Sequence, residues 1–147
     1  MSGGPIYVIQ SSGNNLNAAG SSQVPDLINT TVAIYGGIGA GHPYFDTGAY
    51  RLVNIPANQP QRFGNSGRNN IRGPGFFNLD SGLFRDFAVR ERFTIQFRAE
   101  ALNVLNHPNF ANPNADISGS SGPFGIITAT SATANPREFR FATRVFF

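Results

Sequence analysis

The sequence predicts an all-β chain: an antiparallel meander of about four strands, with long irregular loops on one side. Three observations carry that expectation. Two stretches near the C-terminus alternate apolar and polar residues with period two. Glycine and proline are frequent, 17 and 10 in 147 residues, and with Asn they punctuate a chain into turns instead of long helices. Short and long connections alternate between the strand-like stretches.

The first strand is expected near residues 5–10. Pro5-Ile6-Tyr7-Val8-Ile9-Gln10 is rich in β-branched and aromatic side chains and stops at Ser11-Ser12-Gly13-Asn14. A long loop is expected over 11–75. The second strand is placed at 76–87, and Ala88-Val89-Arg90-Glu91 reads as a tight link. The third strand is placed at 92–105. Phe93, Ile95, Phe97, Ala99 and Ala101 share one face there, with Arg92, Thr94, Gln96, Arg98 and Glu100 opposite. A helix over the same residues would mix Glu100 with Phe93, Phe97 and Val104 on one face, so strand is the better fit. A second long loop, 106–136, is full of Asn, Pro, Gly, Ser and Thr. The last strand is expected at 137–147. It sets Phe139, Phe141, Thr143, Val145 and Phe147 on one face and Glu138, Arg140, Ala142, Arg144 and Phe146 on the other.

These features together point to a membrane barrel wall. Outer-membrane barrels join their strands by short turns on one side and long loops on the other. Tilted strands of about 9–11 residues cross the bilayer. Loops of this length inside a compact soluble domain would count against the strands; in a barrel they are expected. No apolar run approaches the roughly 20 residues of a membrane helix. The start, Met1-Ser2-Gly3-Gly4-Pro5, has no basic and apolar segments of a signal peptide.

Composition narrows the function. Charged residues make up 13% of the chain, well under the roughly 25% of soluble domains. The net charge is +3 and the pI is near 10. All 11 basic residues are Arg. They are spread from Arg51 to Arg144 with no basic block, so no nucleic-acid partner is expected. The chain has no Cys, which excludes a disulfide scaffold, a Cys zinc site and a thiol nucleophile. Gly36-Gly37-Ile38-Gly39-Ala40-Gly41 is followed by His42-Pro43, which is no helix start, so it reads as a flexible loop and not a phosphate cradle. His42 and Asp46 lack a third ligand, and His107 sits in a turn-like Asn106-His107-Pro108-Asn109. No nucleophile elbow, Walker loop or metal motif is present, so neither enzyme activity nor a cofactor is expected.

Three stretches carry a family resemblance: 62–80 (RFGNSGRNNIRGPGFFNLD), 97–110 (FRAEALNVLNHPNF) and 137–147 (REFRFATRVFF). Together they resemble the C-terminal end of the barrel of Oar-like TonB-dependent receptors, the type with a carboxypeptidase-regulatory-like N-terminal domain. Residues 36–46 are similar to an external loop of the same family. The resemblance implies a Gram-negative outer-membrane location and a role in energised uptake. It implies that residues 1–147 are part of a larger barrel, a fragment not competent for transport alone. The implied partners are outer-membrane lipid, the barrel-assembly machinery, and the remainder of the barrel with its plug. TonB would be reached only through the missing N-terminal part.

On this reading Phe139, Phe141, Thr143, Val145 and Phe147 face lipid and form the assembly signal. Arg98, Glu100, Glu138, Arg140 and Arg144 face the lumen. They either meet a plug or polar solute, or form a charge ladder that keeps the wall wet and fixes register. Phe139→Arg is then expected to hinder insertion more than Arg140→Phe. Arg62, Arg68 and Arg72, with Asn65, Asn69 and Asn70, form a polar loop that meets ligand or caps its own strand ends. Ser81 and Gly82 depart from the family pattern and weaken the outward face of the second strand. The alternative is a soluble structural or adhesive β-sandwich, which would bury the same phenylalanines between two sheets.

Overall fold

The computed structural model describes residues 3–11, 23–56, 58–90 and 92–147. It is all-β and antiparallel, with no α-helix among those residues. The strands are β1 (Pro5–Ile6), β2 (Asp26–Leu27), β3 (Tyr50–Arg51), β4 (Ile71–Arg72), β5 (Ser81–Arg90), β6 (Phe93–Leu102) and β7 (Glu138–Phe146). The chain divides into two compact units.

The first unit holds Met1–Gly75 and Phe110–Ala129. Apart from the expected strand at 5–10, these are the stretches expected to be irregular loops, and they build a core of their own. Ile6, Val8, Phe45, Ala49, Tyr50, Ile71 and Ile127 are buried together. Phe45, Tyr50 and Phe124 meet edge to face with centroids 5.3–6.0 Å apart, the arrangement that aromatic quadrupoles favour.

Short ladders frame this core. β1 pairs with β4, and β2 with β3. Single bridges add to them. Ile9 N–H donates to Ala115 O and Ile117 N–H to Ile9 O, each at 3.0 Å, while Tyr44 N–H reaches Gly125 O at 2.8 Å. The expected strand at 5–10 is therefore divided. Pro5 and Ile6 belong to β1, whereas Ile9 bridges Asp116 and Gln10 bridges Gln23. None of these residues joins the meander.

Side-chain amides do much of the backbone's work here. The buried Gln10 amide donates to Val53 O and accepts from Val53 N–H, at 3.0 and 2.9 Å. The Gln23 amide accepts from Val24 and Gly64 N–H and donates to Arg62 O. A buried peptide group must find a partner, and an amide can serve its donor and its acceptor together.

The second unit holds Phe76–Asn109 and Thr130–Phe147. It is a three-stranded meander in the order β5-β6-β7. The β5 strand runs over 81–90 and not 76–87. Its start is displaced because Asn109 takes both backbone groups of Phe77: the side-chain carbonyl accepts from Phe77 N–H and the NH2 donates to Phe77 O, each at 2.8 Å. Its end is displaced because a register shift between Ala88 and Arg90 lets pairing continue to Arg90↔Phe93. The expected link at 88–91 thus lies mostly inside the strand. β6 and β7 fall within their expected ranges, trimmed at the ends.

Candidate functional site: a two-faced sheet

The register fixes which side chains share a face. Pairs such as Leu83↔Ala99↔Phe141 and Phe87↔Ile95↔Val145 line up across the three strands. With period-two alternation, one face collects Leu83, Phe87, Phe93, Ile95, Phe97, Ala99, Phe139, Phe141, Thr143 and Val145. The Phe97 and Phe141 rings stack diagonally across this face, 6.2 Å apart. The large side chains stand open: Leu83 is 66% and Phe141 69% exposed. A contiguous apolar face this open marks an interaction surface, for a membrane or for another protein. Phe147 follows β7 and is 95% exposed.

The opposite face carries all five charges singled out in the sequence. Glu100 stands across from Arg140, and Arg98 across from Ala142. The ion pair does not run across the strands, however. Arg140 donates to Glu138, two residues away on the same strand, at 2.8 Å. Arg98 donates to Gln96 at 2.8 Å and lies over the Phe84 ring, 5.2 Å from its centroid. Arg144 lies over Phe146 at 5.9 Å. The cations are thus held by rings and neighbours on this face.

Gly82 belongs to this charged face, across from Glu100, and not to the apolar one. The Phe84 ring lies over it: a Cβ on Gly82 would sit 3.1 Å from a Phe84 ring carbon. The ring covers the missing side chain and supports Arg98, so the glycine is a seat for an aromatic and not a gap.

One residue of the apolar face was not anticipated. Arg85 lies level with Phe97 and Thr143, and its guanidinium leans over the Phe87 ring at 5.7 Å. Extending the β6 alternation into β5 in register would have revealed it.

The ends of β5 and β6 are locked by asparagines. Asp80 accepts from Asn103 N–H at 2.8 Å. The Asn103 side chain accepts from His107 N–H and donates to His107 O and Asn135 O. Asn103 and Asn106 have φ of 47° and 50°, a region that Asn tolerates better than most residues. Sequence reasoning noted the Asn106–Asn109 turn but not these staples. The signal for them is the spacing of Asn103, Asn106 and Asn109 just past a strand end.

In the first unit the polar loop caps its own surroundings. Arg62 grips Asp26 through both nitrogens at 2.8 and 2.7 Å. That fork holds the Asp26 carboxyl below its ordinary pKa. Asn65 accepts from Leu27 N–H, Asn70 from the Tyr50 hydroxyl, and Arg68 lies over Tyr7. Asp46 caps the 3-10 turn Thr47–Ala49 by accepting from Gly48 N–H at 3.0 Å. Among the described residues no three His, Cys, Asp or Glu groups converge on a possible metal site. The glycine run is a shaped turn: Gly36, Gly39 and Gly41 have positive φ. Tyr35 and Gly36 N–H both donate to Tyr44 O.

A family model described as an outer membrane beta barrel domain matches residues 1–140. No curated protein and no solved structure matches the chain.

Proposed function

The chain belongs to the outer membrane beta barrel domain family, and from that premise we propose that it forms the C-terminal part of the barrel wall of a TonB-dependent receptor of the Oar-like type. Its place is the cell outer membrane. The observation that carries the wall-segment part of this reading is the meander itself, and the receptor type rests on the resemblance of residues 62–80, 97–110 and 137–147. β5 and β7 have no strand on their outer edges among the described residues, one face is apolar and the other charged. Lipid does not tolerate open strand edges, and the smallest closed barrels need about 8 strands. In this reading the three strands are a segment of a larger wall, and alone they would not transport.

In this reading the face with Phe139, Phe141, Thr143 and Val145 meets lipid. The face with Arg98, Glu100, Glu138, Arg140 and Arg144 lines the lumen and meets the plug or a polar solute. The strand length supports this, since about ten residues tilted by about 40° cover the roughly 25 Å apolar band of such barrels. The barrel-assembly machinery would read Phe147 and the alternate residues before it. The segment has no catalytic role and binds no nucleic acid.

An immunoblot of outer membranes from the native host tests the reading, with an antibody raised against residues 110–121. The expected result is a heat-modifiable band far larger than 15.8 kDa. A soluble band at 15.8 kDa would overturn it.

A further inference from the structure

We infer that the loop end of the meander carries a binding cleft for a neutral carbohydrate. The inference rests on the cleft alone and not on the receptor reading. A cleft of about 350 Å³ opens where β6 ends and β7 begins, walled by Asn106, His107, Thr130 and Asn135 with Pro108 and Pro136. Its size falls within the about 300–1,000 Å³ of small-molecule sites. A smaller hollow of about 100 Å³ adjoins it across Asn103, Asn109 and Asn135, and Asp80 also lines that hollow.

The chemistry of the walls selects the ligand. No Asp, Glu or Arg lines the larger cleft, so an ion entering it would lose water without gaining a counter-charge. The Asn135 peptide carbonyl is engaged by Asn103, but its side-chain amide has no partner among the described residues. Asn106 accepts one long bond, 3.4 Å from Arg137 N–H, and its NH2 group has no partner among the described residues. Among the described residues the Thr130 hydroxyl has no partner either. Amides and a hydroxyl supply both donors and acceptors, which is what sugar hydroxyls need. The proline rings and Ala134 offer the CH surface that the other face of a pyranose needs.

The walls are already fixed. Asn103 clamps His107 through its N–H and its C=O, and the His107 ring rests edge-on against Phe77, 5.7 Å away. Ser131 N–H donates to Asn109 O at 2.8 Å, which ties the Thr130 wall to the Pro108 wall. A preorganised site loses little freedom on binding.

The test uses the outer-membrane protein purified from its host in detergent. Glucose, maltose and cellobiose are titrated by calorimetry and saturation-transfer NMR, with diglycine as a zwitterionic counter-probe. The expected result is saturable binding of at least one sugar with a Kd in the millimolar range. The double variant Asn106→Gly, Asn135→Ala removes two amides while keeping a residue that tolerates positive φ at 106. It should weaken binding at least about tenfold, since each lost hydrogen bond is worth roughly a factor of five, with the guanidinium midpoint unchanged. If that variant loses stability, Thr130→Val gives the same test from the other wall. No saturation with any sugar, wild-type affinity in the variants, or equal binding of diglycine would each overturn the inference. Heat-modifiability of the same preparation reports on the barrel separately, so a folded barrel that binds no sugar refutes only the cleft.

Discussion

The sharpest prediction concerns one strand and three substitutions. β7 spans Glu138–Phe146, so Ala142 is its midpoint. At about 3.4 Å per residue and a tilt of about 40°, Phe141 lies about 3 Å from mid-height and Phe139 about 8 Å. A guanidinium on the lipid face costs about 2–4 kcal/mol at the midplane and about 1 kcal/mol or less near the interface. Phe141→Arg also removes the stack on Phe97, worth about 0.5–1.5 kcal/mol. Its total is about 3–5 kcal/mol, which shifts the folded-to-unfolded ratio by a factor of roughly a hundred to several thousand. Phe139→Arg should cost about 1 kcal/mol. Arg140→Phe removes an ion pair whose members are both solvent-exposed and should change little. The assay is refolding of the outer-membrane protein from urea into lipid vesicles, read as the fraction of heat-modifiable band. Equal damage from Phe141→Arg and Arg140→Phe would mean the faces are assigned the wrong way round. Equal damage from Phe141→Arg and Phe139→Arg would mean that depth plays no part.

Asn103→Ala strips three hydrogen bonds from a buried side chain and strains a positive φ; it should destabilise the meander by about 2–4 kcal/mol, read from the guanidinium midpoint. Gly64→Ala would place a Cβ 2.2 Å from Val24 O, whereas Gly67→Ala meets nothing within 4 Å. The first should abolish amide protection in the first unit and the second should leave it intact, by hydrogen exchange. In acid the sign follows from depressed carboxyls. Burial pushes Asp116 up, but bonds from the Ser11 hydroxyl and from Ser118 and Ser11 N–H outweigh it, leaving the carboxyl below its ordinary value. Asp26 is depressed by Arg62. Their stabilisation is complete above the ordinary carboxylate pKa of about 4 and fades as pH falls through the folded values. Protection in the first unit should therefore hold from pH 7 to about 5 and drop below, and Asp26→Asn should flatten part of that drop.

Legibility in the sequence followed the range of the interactions. β6 and β7 were readable because one residue in two must satisfy one side of a sheet, and that rule acts locally. The charged residues could be grouped on a face for the same reason. Which carboxylate Arg140 takes could not be read, since Glu138 and Glu100 are both on its face and the choice depends on rotamers. The start of β5 was misplaced because Phe77–Asp80 alternates like a strand, and only the distant Asn109 takes Phe77 out of the ladder. The core of the first unit was invisible. Ile6, Phe45, Ile71 and Ile127 come from stretches with no shared period, and what unites them are bonds such as Gln10 to Val53, 43 residues apart. The abundance of Asn, read only as turn punctuation, was also a sign of side chains standing in for strands.

With the apolar face against lipid, as proposed above, Arg85 would give this wall a direction in the plane of the membrane. Bilayer beside a guanidinium near mid-height thins and takes up water, while bilayer beside Phe141 and Val145 keeps its full thickness. On that orientation the lipid around β5 would be strained and the lipid around β7 relaxed. Two strained patches cost less when merged than when apart, as with any mismatch between a protein and its bilayer. Molecules bearing this wall in a crowded outer membrane would drift together with their β5 sides inward, sorted by the lipid between them and not by any contact of their own.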